Sequence, residues 1–214
     1  MKYISLLLLS LLSGPALMAA AFSFQGTFSS DDTVQIFNFS VAADTTVEIR
    51  SFGYGGGTNS AGNVILPGGF DPRIFVFLPD GTQQATNDDD TSSPSTGACD
   101  HVTAGTNGCL DSYLSTLFAG SAGIYTVALV ESPNTSNGDL SSGFAQTGNG
   151  NFTCSQGFCD FGGSQRTGAW AIDVTSADSA SEVLTSAPEP ASWMMAFLGT
   201  AILAGARRKV TCTA

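Results

Sequence analysis

Aspartates are the residues of this chain best suited to chemistry, because several of them lie beside predicted strand ends. The candidates are Asp71, Asp88, Asp89, Asp90 and Asp111. Calcium takes about six to eight oxygen ligands from carboxylates and carbonyls, and acidic loops of this kind supply them. The pattern therefore favours one calcium site, and a solvated acidic loop is the alternative. The expected ligands are Asp71, Asp88, Asp90 and Asp111. No other cofactor is indicated.

Apolar runs and turn residues predict the elements that position these aspartates. The stretch from Ile74 to Leu78 is apolar throughout, which favours a strand buried on both faces. Pro79-Asp80-Gly81 then predicts a tight turn, after which a short strand returns. The strand ends that carry the aspartates are expected to converge on one rim of the domain.

The body of the chain, residues 22–176, is predicted to be one all-β domain. Alternating and apolar stretches give about eight strands, separated by turn residues, with no amphipathic helix. They cover residues 22–28, 34–41, 45–52, 73–78, 82–86, 111–118, 124–130 and 166–175. The alternation in 34–41 changes face, which predicts either two buried faces or a β-bulge. The fold class is therefore an antiparallel β-sandwich, with a jelly roll as the favoured topology.

Catalytic motifs are missing from the sequence. It contains neither G-x-S-x-G nor H-E-x-x-H, and its single histidine, His101, lies in a loop between two cysteines. We therefore expect a protein without enzymatic activity. A glycine-rich stretch, residues 53–57, follows a strand but precedes no helical pattern, so it predicts a loop rather than a phosphate-binding site.

Four cysteines in the body are candidates for disulfide bonds. They are Cys99, Cys109, Cys154 and Cys159. Four cysteines permit three pairings, and the local pairs Cys99–Cys109 and Cys154–Cys159 are the simplest. Neither C-x-x-C spacing nor clustered histidine is present, which disfavours a zinc site.

Charge is distributed unevenly along the chain. All 18 acidic residues lie between Asp31 and Glu189 with only three arginines, so this part carries 3 − 18 = −15. Such a surface repels phosphate backbones, and nucleic acid is therefore not an expected partner.

Both ends of the chain predict export. Residues 1–21 read as a secretory signal peptide, with Lys2, an apolar core and small residues at the cleavage site. A polar linker is expected at 177–187, followed by an apolar transmembrane helix at 191–206 and a short tail at 210–214. The helix is short for a span, and the basic residues after it are expected to stay on the cytoplasmic side.

The carboxyl-terminal segment 188–209 resembles the PEP-CTERM sorting signal of Gram-negative bacteria. The matching residues are Pro188, Glu189, Pro190, Arg207, Arg208 and Lys209. The resemblance implies an exosortase-type transpeptidase as partner and a cell that makes exopolysaccharide. It also implies export through the inner membrane as a membrane-anchored precursor that later reaches the cell surface or the exterior. The tail Val210–Ala214 extends beyond the usual end of such signals.

A second resemblance covers parts of the body. The stretches 70–81, 87–90, 111–114 and 122–129 are similar to the bacterial pre-peptidase C-terminal family of jelly-roll domains. That family implies a non-catalytic domain of a secreted protein. The expected function is therefore that of a non-enzymatic component of the cell envelope or extracellular matrix. The alternative is a calcium-dependent carbohydrate-binding module that contacts exopolysaccharide, with Tyr54 and Tyr113 as the candidate stacking residues.

Overall fold

The computed structural model describes residues 20–89, 110–118, 122–160 and 162–183. Within these ranges the chain is almost entirely β-structure, and a short 3-10 helix spans Leu140–Ser142. The strands are β1 (Ala21–Thr27), β2 (Gln35–Val41), β3 (Thr45–Ser51), β4 (Gly57–Thr58), β5 (Val64–Ile65), β6 (Pro72–Phe77), β7 (Gln83–Asn87), β8 (Tyr113–Phe118), β9 (Gly123–Glu131), β10 (Ala169–Thr175) and β11 (Ser179–Val183).

Two antiparallel sheets form the domain, as the alternating sequence pattern predicted. One sheet has the strand order β1-β10-β3-β8, and the other has the order β11-β2-β9-β6-β7. A separate hairpin consists of β4 and β5. The prediction of an all-β, antiparallel β-sandwich is therefore confirmed.

The main core lies between the two large sheets. Side chains at alternate positions of each strand point into it, including Val47 and Ile49 of β3 and Trp170, Ile172 and Val174 of β10. Phenylalanine supplies much of its volume. The ring centroids of Phe118 and Tyr125 lie 4.3 Å apart, and those of Phe28 and Trp170 lie 6.0 Å apart. Burying each such side chain contributes roughly 1.5–3 kcal/mol.

A second apolar cluster covers the outer face of the five-stranded sheet. Phe75 and Phe77 of β6 pack there against Phe144, which comes from the long connection between β9 and β10. Ile36 of β2 packs against the same cluster. This explains the change of face in 34–41, because β2 pairs with β9 in continuous register and is covered on both sides. The pairing therefore contains no β-bulge, and the outer face of β2 is half-buried while its inner face is fully buried.

The sandwich extends beyond residue 176, into the stretch predicted as a polar linker. Ser179–Val183 forms β11 at the edge of the five-stranded sheet, beside β2. The Asp178 N–H donates to the Ser40 carbonyl at 2.8 Å, and the Ser40 and Ser179 hydroxyls lie 2.7 Å apart. The linker prediction was wrong for these residues because an edge strand meets solvent and its sequence is therefore largely polar.

Several predicted segments lie outside the described residues. They include positions 1–19 of the signal peptide, the sorting motif at 188–190 and 207–209, and the helix at 191–206. In the part of the chain that is described, no helix has the length and apolar character needed to span a membrane.

Candidate metal centre at the acidic rim

Strand pairing brings two acidic residues together at one end of the five-stranded sheet. Asp71 precedes β6, and Glu131 ends β9, where it pairs with Pro72. The N–H of Ser132 donates to the Asp71 carbonyl at 2.8 Å, which extends the ladder by one step. Because β6 and β9 are antiparallel, the beginning of one strand and the end of the other lie side by side.

Two further aspartates join this end of the sheet from the strand on the other side of β6. Asp88 and Asp89 follow β7, and their carboxylate oxygens and one of Asp71 all lie within 4.8 Å of one another. We call Asp71, Asp88, Asp89 and Glu131 the acidic rim. Asp71 and Asp88 were predicted to lie close together, and the structure places them so. Asp90 lies outside the described residues.

A serine hydroxyl fixes the backbone that carries Asp88. Ser112 is fully buried, and its Oγ lies 2.7 Å from the Pro72 carbonyl and 2.7 Å from the Asp88 carbonyl. The next residue, Tyr113, donates its N–H to Oδ1 of Asn87 at 2.9 Å. These contacts tie the start of β8 to the ends of β6 and β7, so that Asp88 is held beside Asp71.

The charges of the acidic rim are poorly compensated within the described residues. Asp88 lies 3.9 Å from the Arg73 guanidinium, a distance that contributes little at a partly exposed site. The pKa of Asp71 is raised to about 8, chiefly by burial and in part by the neighbouring charges of Asp89 and Asp88. Burial, followed by the charge of Asp88, also raises the pKa of Asp89. Oδ1 of Asp71 and Oδ1 of Asp88 are buried without a hydrogen-bond partner.

Glu131 is the most unusual residue of the acidic rim. Its side chain is fully buried, and neither carboxylate oxygen has a hydrogen-bond partner in the described part of the chain. The pKa of Glu131 is raised to about 10, chiefly by burial and in part by the charges of Asp71 and Asp31, against an opposing effect of Arg166. A buried carboxyl group in this state requires either a proton or a bound cation. The predicted strand ended at residue 130, so Glu131 was missed, although an acid directly after an apolar strand was a signal.

Asp111, a predicted ligand, is directed towards a neighbouring loop. Its Oδ1 accepts hydrogen bonds from the Ser51 hydroxyl at 3.0 Å and the Tyr54 N–H at 3.1 Å. Its Oδ2 accepts from the Gly55 N–H at 2.7 Å. Burial raises the pKa of Asp111 to about 6, and these hydrogen bonds oppose the rise. Asp111 therefore positions the glycine-rich loop after β3, and it does not belong to the group of three whose oxygens converge.

The glycine-rich stretch after β3 is a loop, as predicted. Gly56 has a φ of 75°, in the left-handed region that glycine adopts without strain. A Cβ at this position would lie 2.7 Å from the Ile65 carbonyl oxygen. The loop therefore requires glycine here both for its backbone conformation and for its close approach to β5.

The two tyrosines considered for sugar stacking each have an arginine over one face. The Arg166 guanidinium lies 3.6 Å from the centre of the Tyr54 ring, and Arg50 lies 5.2 Å from that of Tyr113. The Tyr54 hydroxyl also donates to Asp160 at 3.2 Å, and Arg166 forms an ion pair with the same carboxylate. One face of each ring that the sequence suggested as a stacking surface is therefore covered by an arginine.

A disulfide bond closes one loop of the connection between β9 and β10. Cys154 and Cys159 are bonded, with Cα atoms 5.7 Å apart, so the predicted local pairing is confirmed for this pair. Cys99 and Cys109 lie outside the described residues. The buried carboxylate of Asp31 holds the same loop, because it accepts the N–H groups of Asn151 at 2.6 Å and Thr153 at 2.9 Å.

The sequence was also compared with known proteins. No protein-family model and no curated protein matches it.

Proposed function

We propose that this chain is an exported, non-enzymatic protein of the cell envelope or extracellular matrix, and that its sandwich domain binds calcium at the acidic rim. One observation carries the calcium proposal. Three carboxylates, those of Asp71, Asp88 and Asp89, offer oxygens within 4.8 Å of one another. On the neighbouring strand Glu131, which pairs with Pro72, is fully buried, and its two oxygens have no hydrogen-bond partner among the described residues. A divalent cation would supply the charge compensation that the described residues lack.

The donor set favours calcium over other common metals. The rim offers carboxylate oxygens, which hard cations prefer, whereas zinc and copper favour nitrogen and sulfur ligands. Calcium also tolerates irregular geometry, and here the three converging carboxylates come from the residue before β6 and the two residues after β7. Extracellular calcium sites bind with dissociation constants of about 0.1–1 mM, which suits an exported domain. Asp90 remains a predicted ligand of the same site.

We also propose a jelly-roll topology for the domain. Without the edge strand β11 and the separate β4–β5 hairpin, eight strands remain in the two sheets. Numbered along the chain, they follow the order first-eighth-third-sixth in one sheet and second-seventh-fourth-fifth in the other. Two sheets that interleave in this way support a double Greek key. The topology agrees with the resemblance to the pre-peptidase C-terminal family, whose members are non-catalytic companions in secreted proteins.

Calcium titration followed by thermal unfolding tests the rim. At a concentration about 100 times the dissociation constant, a ligand stabilises by about 2.7 kcal/mol, which corresponds to about 5–10 °C for a domain of this size. We expect that rise for the wild type and its loss in the double variant Asp88→Asn/Asp89→Asn. The control is Asp178→Asn, an exposed aspartate that precedes β11. An unchanged melting temperature of the wild type at about 100 mM calcium, roughly 100 times the weakest expected dissociation constant, would contradict the proposal.

Mass spectrometry of the protein from its native cell tests the export route. We expect an amino terminus after Ala20 or Ala21, because the signal peptide is removed. We expect a carboxyl terminus near Pro188–Pro190, because a transpeptidase removes the segment that follows. The control is the variant in which Pro188, Glu189 and Pro190 are all replaced by alanine, which should keep its tail. A wild-type protein that ends at Ala214 would refute the sorting proposal.

A further inference from the structure

A polar cavity lies on the outer face of the four-stranded sheet. Its volume is about 140 Å³, and its lining residues are Glu48, Arg50, Ser60, Asp173 and Thr175. On average a water molecule occupies about 30 Å³ of liquid, so the cavity has room for several waters or for part of one sugar ring.

Strand register places the charged residues of this cavity on one face. In the pairing of β3 with β10, Arg50 lies opposite Asp173 and Glu48 lies opposite Thr175. Arg50 and Glu48 are two residues apart, so they project from the same side of β3, away from the core residues Val47 and Ile49. The sheet itself therefore forms the floor of the cavity.

The loop between β4 and β5 forms the opposite wall. Ser60 donates both its N–H and its hydroxyl to Oδ2 of Asp173, each at 2.7 Å. The N–H of the next residue, Ala61, donates to the hydroxyl of Ser23 on β1 at 3.1 Å. These three bonds hold the loop over the sheet and leave Oδ1 of Asp173 for another partner.

Asp173 is only 3% exposed, and its buried Oδ1 has no hydrogen-bond partner among the residues that the structure describes. A buried acceptor in this state destabilises the folded protein, and more so when it is charged. The contact with Ser60 uses only one of the two carboxylate oxygens, Oδ2. The remaining oxygen is suited to accept a hydrogen bond from a bound ligand.

The lining of the cavity combines hydrogen-bond donors and acceptors. Arg50 supplies guanidinium donors beside the carboxylates of Asp173 and Glu48, and it lies over the ring of Tyr113. An anionic ligand would face two carboxylates, and a cationic ligand would face Arg50. A ligand with neighbouring hydroxyl groups could bond to both the guanidinium and the carboxylates, because each hydroxyl both donates and accepts. The cavity therefore favours a neutral polyhydroxy ligand.

We infer that Asp173 and Arg50 form a binding site for a neutral saccharide unit, with Oδ1 of Asp173 accepting from one hydroxyl and the Arg50 guanidinium donating to its neighbour. This site lies on the sheet face, and it requires neither the acidic rim nor calcium. It goes beyond the proposed function by giving the domain a ligand class and a place to bind it.

Saturation-transfer NMR on the wild-type chain, with glucose, galactose, mannose and N-acetylglucosamine as separate probes, tests the inference. We expect transfer to at least one sugar, unchanged by a calcium chelator and retained in Asp88→Asn/Asp89→Asn. In Asp173→Asn the amide oxygen still accepts from Ser60, but an N–H₂ group replaces the unpartnered acceptor. Affinity should then fall about tenfold or more, because a hydrogen bond to a charged group is lost.

Two further variants separate a local effect from loss of the fold. Arg50→Gln removes the guanidinium without touching the Ser60 contacts, and it should also weaken binding about tenfold. Asp178→Asn removes an exposed aspartate and should bind like the wild type. Absence of transfer from all four sugars to the wild type would overturn the inference. So would equal affinity of Asp173→Asn, Arg50→Gln and Asp178→Asn.

Discussion

Replacing Glu131 with glutamine is expected to stabilise the calcium-free protein at alkaline pH and to weaken its response to calcium. The folded state raises the pKa of Glu131 from 4.5 to about 10, chiefly through burial. Between these two values the unfolded chain has released this proton and the folded chain still holds it. Stability contributed by Glu131 is therefore largest below pH 4.5 and falls as pH rises through this interval.

The size of this effect follows from proton linkage. A group that binds one more proton in the folded state lowers the free energy of unfolding by up to about 1.4 kcal/mol per pH unit. For a domain of this size that is about 3–5 °C in melting temperature per unit. Glutamine does not titrate, so Glu131→Gln should lose this part of the slope. The part due to Asp71, whose pKa is raised to about 8, should remain.

Urea unfolding at a series of pH values, with and without calcium, measures both expectations. The matched control is Glu182→Gln on β11, a partly buried glutamate away from the rim that should leave both the pH slope and the calcium response unchanged. If Glu131→Gln destabilises the calcium-free protein at every pH and keeps the wild-type slope, Glu131 is ionised in the empty site, and our account of the rim is wrong.

Replacing Asp111 with asparagine is expected to destabilise the domain by roughly 3 kcal/mol while preserving the calcium response. The carboxylate accepts from Ser51, Tyr54 and Gly55, and asparagine offers only one oxygen in place of two. Its N–H₂ group would face donors, so at least one buried N–H loses its partner, which costs about 1–3 kcal/mol in addition to the charge-assisted bonds.

Thermal unfolding with and without calcium distinguishes a positioning role from a ligand role. Ser51→Ala is the milder comparison, because it removes one hydroxyl contact to Asp111 and should cost about 1 kcal/mol. If Asp111→Asn instead leaves the calcium-free melting temperature unchanged and abolishes the calcium response, Asp111 is a ligand, as its place in the sequence suggested.

The local pattern of the sequence was sufficient to predict the class of the fold. Alternation in a strand is a property of neighbouring residues, so Val47 and Ile49 identify the inward face of β3, and Glu48 and Arg50 its outward face, without knowledge of any partner strand. Likewise, the turn at Pro79-Asp80-Gly81 predicts that β6 and β7 form a hairpin. That hairpin alone places Asp71 and Asp88 at the same end of the sheet.

Only the tertiary structure decided which groups complete the two sites. Glu131 lies beside Asp71 because β9 pairs with β6, a contact between residues 60 positions apart that no local pattern encodes. Asp173 meets Arg50 and Ser60 only because β10 inserts between β1 and β3. Burial then determines the chemistry of these groups, because the same carboxylates on an open loop would be ordinary solvated acids. The packing around Asp71, Glu131 and Asp173 buries carboxylate oxygens that have no hydrogen-bond partner among the described residues.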